Sequence, residues 1–378
     1  MWSRPTTSAR SAATSRKSRF QTNARSAERR KKNSRPSSRT GGSQRHRPAG
    51  ARGGQGIRAR YRICFEEQEM THGRDPVRLV DVLIDVSIRE GSQQPIDLRN
   101  ADVDTKLQLL AHAVRTGVRN IELTSFGPAE WFSDSHRLAR GALSRVPAGV
   151  VLRALYFNTS GLEDLLKHPG MAREGIFLTA ATSGYREKNY RQHSLEHVEQ
   201  KMARLIAAFK AHGLPFSTLL LSTAWGDREE ALTEEQTIGF LEQLMAFAEG
   251  QGLPVQGITL ADTVGVAEPE AVGSLIRRLK SARPDVLVRA HLHPLPEMTE
   301  PSIHAAIEAG VDQWESAWGG VGGSPFASEP GGNMDIRSLV KVYNDRGLEH
   351  GMNVEEIGRT IRFLEKHTQR QIPDIPVR

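Results

Sequence analysis

The chain has 378 residues but only one cysteine, Cys64, and no long hydrophobic run. A single cysteine excludes a disulfide within the chain, and the other residues offer no thiol for catalysis or for a thiolate-bound metal. No apolar stretch approaches the roughly 20 residues of a membrane-spanning helix, so we expect a soluble protein without a membrane anchor. The length suits one large globular domain or two ordinary ones.

Leucine and valine are absent from residues 1–60, which are rich in Arg, Ser, Gly and Pro. Such a segment cannot bury enough apolar surface to offset the entropy lost on ordering, so we predict a disordered leader over residues 1–69. An organellar presequence and a nucleic-acid-binding tail are two possible origins. The origin we favour is a mis-assigned start, because the purine-rich codons of Glu66-Glu67-Gln68-Glu69, just before Met70, resemble a bacterial ribosome-binding site.

The excess of basic charge is confined to this leader. Residues 1–69 hold 18 of the 51 Lys and Arg residues and 4 of the 44 Asp and Glu residues, a net charge of +14 that leaves −7 on residues 70–378. A basic stripe for nucleic acid would have to lie in the leader, where aromatic residues that stack on bases are sparse. We therefore expect no nucleic-acid partner, and the mildly acidic remainder is typical of cytoplasmic enzymes.

Short β-branched runs alternate with longer helical patterns from residue 77 onward. For example, Met202, Leu205, Ile206 and Phe209 have the i, i+3, i+4, i+7 spacing of a helix that faces a core. Strands are predicted over residues 79–86, 120–124, 150–157, 175–181, 215–223, 257–261, 286–291 and 312–317. Helices are predicted over residues 104–116, 195–212, 233–249 and 268–282, among others, with one or two more over 352–369.

Eight strands that each precede a helix are typical of a (β/α)8 TIM barrel. We predict such an α/β barrel over residues 75–370, with extra C-terminal helices and the disordered leader before it. A doubly wound open sheet is the alternative, but no Gly-rich phosphate-binding turn follows the first strand.

Polar side chains lie where the predicted strands end, which is where TIM barrels form their active sites. His291 and His293 are two apart on the seventh strand, so both imidazoles point the same way and can hold a divalent metal. Arg89 and Glu90 follow the first strand, and a Gly-rich loop leads from the eighth strand to Asn333. Carboxylate, imidazole and amide ligands suit Mg²⁺, Mn²⁺ or Zn²⁺, and an adjacent arginine would stabilise an enolate oxygen.

Several dispersed stretches carry a family resemblance. They are Ile88-Arg89-Glu90-Gly91-Ser92-Gln93, Ile121-Glu122-Leu123-Thr124-Ser125-Phe126, Leu260-Ala261-Asp262-Thr263-Val264-Gly265-Val266, the His291/His293 pair, and the loop from Gly322 to Asn333. Together they resemble the TIM-barrel metallolyases typified by 3-hydroxy-3-methylglutaryl-CoA lyase, a pyruvate carboxyltransferase-type family. The resemblance implies a divalent-metal-dependent carbon–carbon lyase that cleaves a 3-hydroxyacyl-CoA into acetyl-CoA and an oxo acid. A homodimer is the assembly that the family suggests.

The resemblance also implies roles for individual residues. The metal ligands are expected at Glu90, His291, His293 and Asn333, with Mg²⁺ or Mn²⁺ as the ion. Catalytic roles are expected for Arg89, Glu122, Asp262 and Ser324, of which Arg89 would stabilise the enolate. Substrate contacts are expected from Gln93, Thr124 and Lys188. The Lys188 contact does not come from the resemblance: Lys188 and Arg186 lie in the predicted loop after the fourth strand, which either meets coenzyme A phosphates or is a solvated basic loop.

Two positions depart from the family's pattern. The family has Asp where this chain has Glu90, so the carboxylate is longer by one methylene, and the family's Cys in a Gly-Gly-Cys-Pro loop falls on Ser324. A thiol titrates near pH 8.5, whereas a serine hydroxyl passes no proton at neutral pH without help. These departures put the particular substrate in doubt more than the metal site.

Two other functions stay open. The same site could run in the condensing direction, as a Claisen-type enzyme that joins an acyl-CoA to a 2-oxo acid. Such enzymes carry a Glu-Arg pair in the loop where this chain reads Gly322-Gly323-Ser324-Pro325. Alternatively, Glu90 and Ser324 could mark a non-catalytic barrel that keeps the fold.

A start at Met70 predicts the mass of the native protein. We expect an intact-mass measurement on protein from its natural source to show a chain that begins at Met70 or at the next residue. A peptide from residues 1–69 in the same preparation would contradict this start.

Overall fold

Eight parallel strands form a nearly closed barrel, which confirms the predicted (β/α)8 architecture. The computed structural model describes residues 77–127, 130–323 and 332–378, without the side chain of Trp131. The strands are β1 (Leu83–Asp85), β2 (Asn120–Phe126), β3 (Val151–Tyr156), β4 (Gly175–Ala180), β5 (Phe216–Ser222), β6 (Gly257–Ala261), β7 (Leu287–His291) and β8 (Gln313–Ser316). Hydrogen bonds join them in the order β3-β2-β1-β8-β7-β6-β5-β4. The predicted leader over residues 1–69 lies outside the described residues.

Helices alternate with these strands along the chain. They are α1 (Leu79–Val82), α2 (Ser87–Gly91), α3 (Val103–Arg115), α4 (Ser135–Leu143), α5 (Thr159–Leu166), α6 (Ser183–Tyr190), α7 (Leu195–Ala211), α8 (Glu234–Gly250), α9 (Pro269–Ala282), α10 (Thr299–Glu308), α11 (Ile336–Asp345) and α12 (Val354–His367), with 3-10 turns at Glu130–Phe132, Pro296–Met298 and Trp318–Gly320. The four helices whose bounds were predicted from the sequence are confirmed to within one residue at each end. Across the described ranges, no helix is long and apolar enough to cross a membrane.

The first predicted strand, residues 79–86, is wrong in its first half. Leu79–Val82 form helix α1, and only Leu83–Asp85 form a strand. Nearly all of this run is buried, and a helix of four residues is too short for the sequence pattern to distinguish it from a buried strand. Distant hydrogen bonds hold the helix in place, because its first two N–H groups donate to the backbone carbonyls of Glu349 and His350.

The predicted loop after the fourth strand is also wrong, since Lys188 lies on helix α6. None of the residues of α6 is buried, so the sequence there lacks the apolar periodicity that reveals a helix. Arg191 ends the helix in the left-handed conformation, with φ of 51°. Helix α6 consequently stands at the carboxyl end of β4, where it borders the mouth of the barrel.

Side chains, rather than a ladder of backbone hydrogen bonds, join β3 to β4. The hydroxyl of Tyr156 donates to the carbonyl of Glu174 and accepts from the N–H of Ile176, both at 2.7 Å. Arg153 forms an ion pair with Glu174 across the same gap. One buried tyrosine thus satisfies a donor and an acceptor that a strand partner would otherwise satisfy.

Asp85, at the end of β1, has its carboxylate buried in the core of the fold. Burial raises the pKa of Asp85 to about 6, although the hydrogen bonds from Ser87 and Trp318 oppose the rise. An unfolded Asp has a pKa of about 3.9, so the folded state binds this proton more tightly than the unfolded state does. The stabilisation from protonated Asp85 is therefore full below about pH 4 and is lost as the pH rises through about 6.

Asp85→Asn should remove this pH dependence. We expect the free energy of unfolding of the variant, relative to that of the natural chain, to rise by about 2 kcal/mol between pH 4.5 and pH 7.5. Urea unfolding at the two pH values measures the difference. A difference that does not change with pH would show that Asp85 titrates normally in the folded protein.

Candidate active site

Arg89 is buried between two carboxylates at the mouth of the barrel. It lies on α2, the single helical turn after β1, and it donates from Nη1 to Glu90 and from Nε to Glu122 on β2. Burial opposes the positive charge, but the charges of Glu122 and Glu90 outweigh burial and raise the pKa of Arg89 above its ordinary value. Arg89 is therefore a permanent cation of the kind that stabilises a developing oxyanion.

His291 and His293 face each other across a short gap. His291 ends β7, His293 follows two residues later, and their Nε2 atoms are 3.0 Å apart. The Nε2 atom of His291 also lies 4.0 Å from Oε1 of Glu90. Two ring nitrogens at this distance leave room for only one proton between them, so at least one of them is the unprotonated form that binds metals.

Glu315 on β8 fixes the orientation of His291. Its Oε2 accepts from Nδ1 of His291 at 3.0 Å, and its Oε1 lies 3.3 Å from Nη1 of Arg289. Burial alone would raise the pKa of Glu315, but the hydrogen bond from His291 and the charge of Arg289 outweigh burial and lower the pKa to about 2. With Nδ1 donating to Glu315, a neutral His291 presents its Nε2 lone pair to the cavity. Sequence reasoning missed Glu315, although a carboxylate in the middle of the predicted eighth strand was a usable signal.

Asn333 brings an oxygen without a partner to the same place. Its Nδ2 donates to the carbonyl of Val321 at 2.7 Å, whereas its buried Oδ1 has no hydrogen-bond partner among the described residues. Gly322, at φ of 93°, packs so tightly here that a Cβ would overlap both Glu90 and Asn333. A buried acceptor without a partner is costly, and a bound cation would satisfy it.

These donors fit a divalent cation by their chemistry. Two imidazoles, an amide oxygen and a carboxylate are ligand types that Mg²⁺, Mn²⁺ and Zn²⁺ accept. Glu90 is turned toward Arg89 and the N–H of Gly323, however, and the described part of the chain contains no cluster of three or more His, Cys, Asp or Glu side chains poised for a metal. An ion held by the histidines and Asn333 would therefore have to share Glu90 with Arg89.

A cavity of about 760 Å³ opens beside this group. Its polar lining includes Arg89, Glu90, Gln93, His291 and His293. Of the expected substrate contacts, Gln93 lies in the lining. Lys188 is exposed on α6 and does not line the cavity, and Thr124 is buried with its hydroxyl 2.7 Å from that of Ser135.

Asp262 lies near the site but faces a turn. It follows β6 directly, and its Oδ1 accepts from the N–H of Val266 at 2.9 Å. Burial raises the pKa of Asp262 to about 6, although the backbone hydrogen bonds oppose the rise. Its side chain is not part of the cavity lining. Ser324, the other expected catalytic residue of the strand-end loops, lies outside the described residues.

Two hydroxyl groups in the cavity were not expected from the sequence. Tyr190, the last residue of α6, lies over the site with its hydroxyl 2.7 Å from that of Ser222 at the end of β5. Burial raises the pKa of Tyr190 to about 12, so the phenol stays protonated at neutral pH. No pattern in the sequence distinguishes Tyr190, because α6 itself was not recognised as a helix.

Comparison with known proteins gives a family and several relatives. The family model described as HMGL-like matches residues 82–364. The chain is 26% identical to the (R)-citramalyl-CoA lyase of Chloroflexus aurantiacus, over 77% of this chain and 92% of that protein. It is 25% identical to the hydroxymethylglutaryl-CoA lyase YngG of Bacillus subtilis, over 76% of this chain and 93% of that protein.

Solved structures share the fold. The HMG-CoA lyase of Brucella melitensis superposes with a TM-score of 0.67 at 22% identity, over 76% of this chain and 99% of that chain. An HMG-CoA lyase of Acinetobacter baumannii, solved in complex with coenzyme A and 3-methylmalate, gives a TM-score of 0.65 at 21% identity, over 77% of this chain and 93% of that chain. At these identities the likeness establishes the barrel and nothing finer.

Replacing Glu122 tests how much the stability of the fold depends on the ion pair between Glu122 and Arg89. Glu122→Ala leaves Arg89 buried with one carboxylate fewer, so we expect the free energy of unfolding to fall by about 3 kcal/mol. Lys188→Ala, on the exposed face of α6, is the control and should change it by less than about 0.5 kcal/mol. Denaturant unfolding of both variants gives the values. A similarly small effect for Glu122→Ala would mean that Arg89 does not need this partner.

Proposed function

The chain belongs to the HMGL-like family of carbon–carbon lyases, and on this premise we propose that it cleaves a 3-hydroxyacyl-CoA with the help of a divalent cation. The products are acetyl-CoA and a ketone or oxo acid. The observation that carries the proposal is one arrangement at the barrel mouth. Arg89 and the histidine pair line a cavity of substrate size, and Asn333, whose Oδ1 has no partner among the described residues, packs against the same glycine as Glu90 does, Gly322.

The reaction requires a positive charge beside the thioester. As the bond between C2 and C3 breaks, its electron pair forms the enolate of acetyl-CoA, while the C3 hydroxyl loses its proton and becomes a carbonyl. Arg89 is the cation of this chain that would stabilise the enolate oxygen, because burial and its carboxylate partners keep it charged. Protonation at C2 then completes acetyl-CoA.

His291, His293, Asn333 and Glu90 are the residues that would hold Mg²⁺ or Mn²⁺. The bound cation supplies a Lewis acid that polarises the substrate oxygens and makes the C3 hydroxyl more acidic. Glu315 keeps His291 in the orientation that ligation requires. Partners of this kind typically alter metal affinity by about 10-fold to 100-fold when they are removed.

The rim of the cavity suits coenzyme A. Arg191, Lys201 and Arg204 contribute to the lining, and the two arginines are exposed there. Lys188 does not line the cavity, so these residues would contact the phosphates in its place. Arginine suits this role because it pairs with phosphate in a bidentate manner. The ligands of the Acinetobacter baumannii structure, coenzyme A and 3-methylmalate, support a coenzyme A thioester as the substrate class.

Acetyl-CoA release tests the proposal directly. The thioesters are 3-hydroxy-3-methylglutaryl-CoA, citramalyl-CoA and one 3-hydroxy-3-methylacyl-CoA with an uncharged substituent. We expect protein expressed from Met70 to release acetyl-CoA from at least one of them with Mg²⁺ or Mn²⁺, and to lose this activity in chelator until the metal is restored. His291→Ala should lower the rate at least about 100-fold, whereas the control Lys188→Ala should not.

Two outcomes would contradict the proposal. One is that folded protein releases acetyl-CoA from none of the three thioesters. The other is that release continues at an unchanged rate in chelator, because the histidine pair would then have no metal-dependent role.

A further inference from the structure

The mouth of the barrel is divided into a polar half and an apolar half. Arg89 and Glu90 follow β1, His291 and His293 lie at the end of β7, and together they form the polar half. The opposite half contains an apolar wall from β3, β4, β5, α7 and the residue after β3, with a few polar residues such as Asn158 and Ser222 around it; the apolar side chains are Leu155, Phe157, Phe177, Leu178, Leu205 and Leu220. The reacting groups therefore lie on one side of the cavity and a hydrocarbon wall lies on the other.

We propose that the apolar half binds an uncharged hydrocarbon substituent on C3 of the substrate, so that the preferred acyl group carries no second carboxylate. The inference rests on the proposed lyase function and names the substrate class of that same site. It also separates this chain from its named relatives, because hydroxymethylglutaryl and citramalyl groups both carry a second carboxylate.

The depth of the cavity decides which end of the substrate reaches this wall. Leu155 and Leu178 are only 5% and 7% exposed, whereas Phe157, two residues after Leu155, is 41% exposed. The coenzyme A arm has to leave through the open rim, where Arg191 and Arg204 lie. The part of the acyl group farthest from sulfur is then the part that meets Leu155 and Leu178.

The cations under this wall already have partners. A layer of charged side chains lies across the inside of the barrel and is paired within itself, as Arg89–Glu122, Arg153–Glu174 and Arg289–Glu315. The Nε of Arg153 has no hydrogen-bond partner, but its charge is balanced by Glu174. A second carboxylate next to these ion pairs would find each of the three arginines already paired with a glutamate.

The remaining basic groups are placed for the rim. The ammonium group of Lys201 donates hydrogen bonds to the carbonyls of Tyr190 and Arg191, at 2.6 and 2.9 Å. Residues 324–331 contain no Lys or Arg, so the composition of that loop offers no further cation. Burying a carboxylate against leucine and phenylalanine without a partner is strongly unfavourable, whereas burying an alkyl group there is favourable.

A matched pair of thioesters separates charge from shape. In 3-hydroxy-3,5-dimethylhexanoyl-CoA an isopropyl group replaces the terminal carboxylate of 3-hydroxy-3-methylglutaryl-CoA with nearly the same outline. We expect the uncharged thioester to bind at least about tenfold more tightly by calorimetry in chelator, and to give the higher kcat/KM for acetyl-CoA release with Mn²⁺. Equal binding, or tighter binding of the carboxylate thioester, would overturn the inference.

The two readouts separate this inference from the proposed function. Tighter binding of the uncharged thioester, without acetyl-CoA release from either member of the pair or from citramalyl-CoA, would refute the lyase and leave the apolar specificity standing. Faster cleavage of the carboxylate thioester would keep the lyase and refute the specificity.

Leu220→Arg gives a second test on the protein side. An arginine at this position on β5 should shift the binding ratio at least about tenfold toward the carboxylate thioester. Leu220→Met, which keeps the volume and the apolar character, is the matched control and should keep the ratio of the natural chain. An unchanged ratio in folded Leu220→Arg would show that Leu220 does not contact the substituent. If the variant does not fold, the comparison of the two thioesters on the natural chain decides the inference.

Discussion

Charges buried inside the barrel must be paired, and this requirement fixes the geometry of the site. A buried guanidinium without a carboxylate would destabilise the fold by several kcal/mol. Arg89 therefore lies against Glu122 and Glu90, and Arg289 lies against Glu315, which in turn orients His291. The same ion pairs that stabilise the interior of the barrel thus hold the guanidinium of Arg89 and the imidazole of His291 in place at its mouth.

The division of the mouth into two halves follows from the strands that supply it. The carboxyl ends of β1 and β7 provide the arginine, glutamate and histidine side chains, whereas β3, β4 and β5 provide leucine and phenylalanine. The join between β3 and β4, where Tyr156 replaces backbone pairing, lies on the apolar side. The proposed chemistry and the proposed acyl specificity therefore rest on different strands, and a change in the apolar wall would leave Arg89 and the histidines in place.

Local pattern predicted most of the fold because short β-branched runs alternate with amphipathic helical patterns along the chain. It failed at Leu79–Val82, a helix of four residues that is too short to show a helical period, and at α6, which buries no residue. Among site residues, the histidine pair could be predicted because its spacing is local to one strand. Glu315 and Tyr190 acquire their roles from partners that are 24 and 32 residues away along the chain, and no local pattern encodes such contacts.

The proposed function depends on a cation that the histidine pair and Asn333 hold beside Arg89. A crystal grown with Mn²⁺ and measured for anomalous scattering would locate such an ion. We expect one strong peak within coordination distance of His291, His293 and Oδ1 of Asn333, with Glu90 reaching the same ion. Bound Mn²⁺ elsewhere on the protein, with Nε2 of the two histidines still facing each other without an ion, would contradict it.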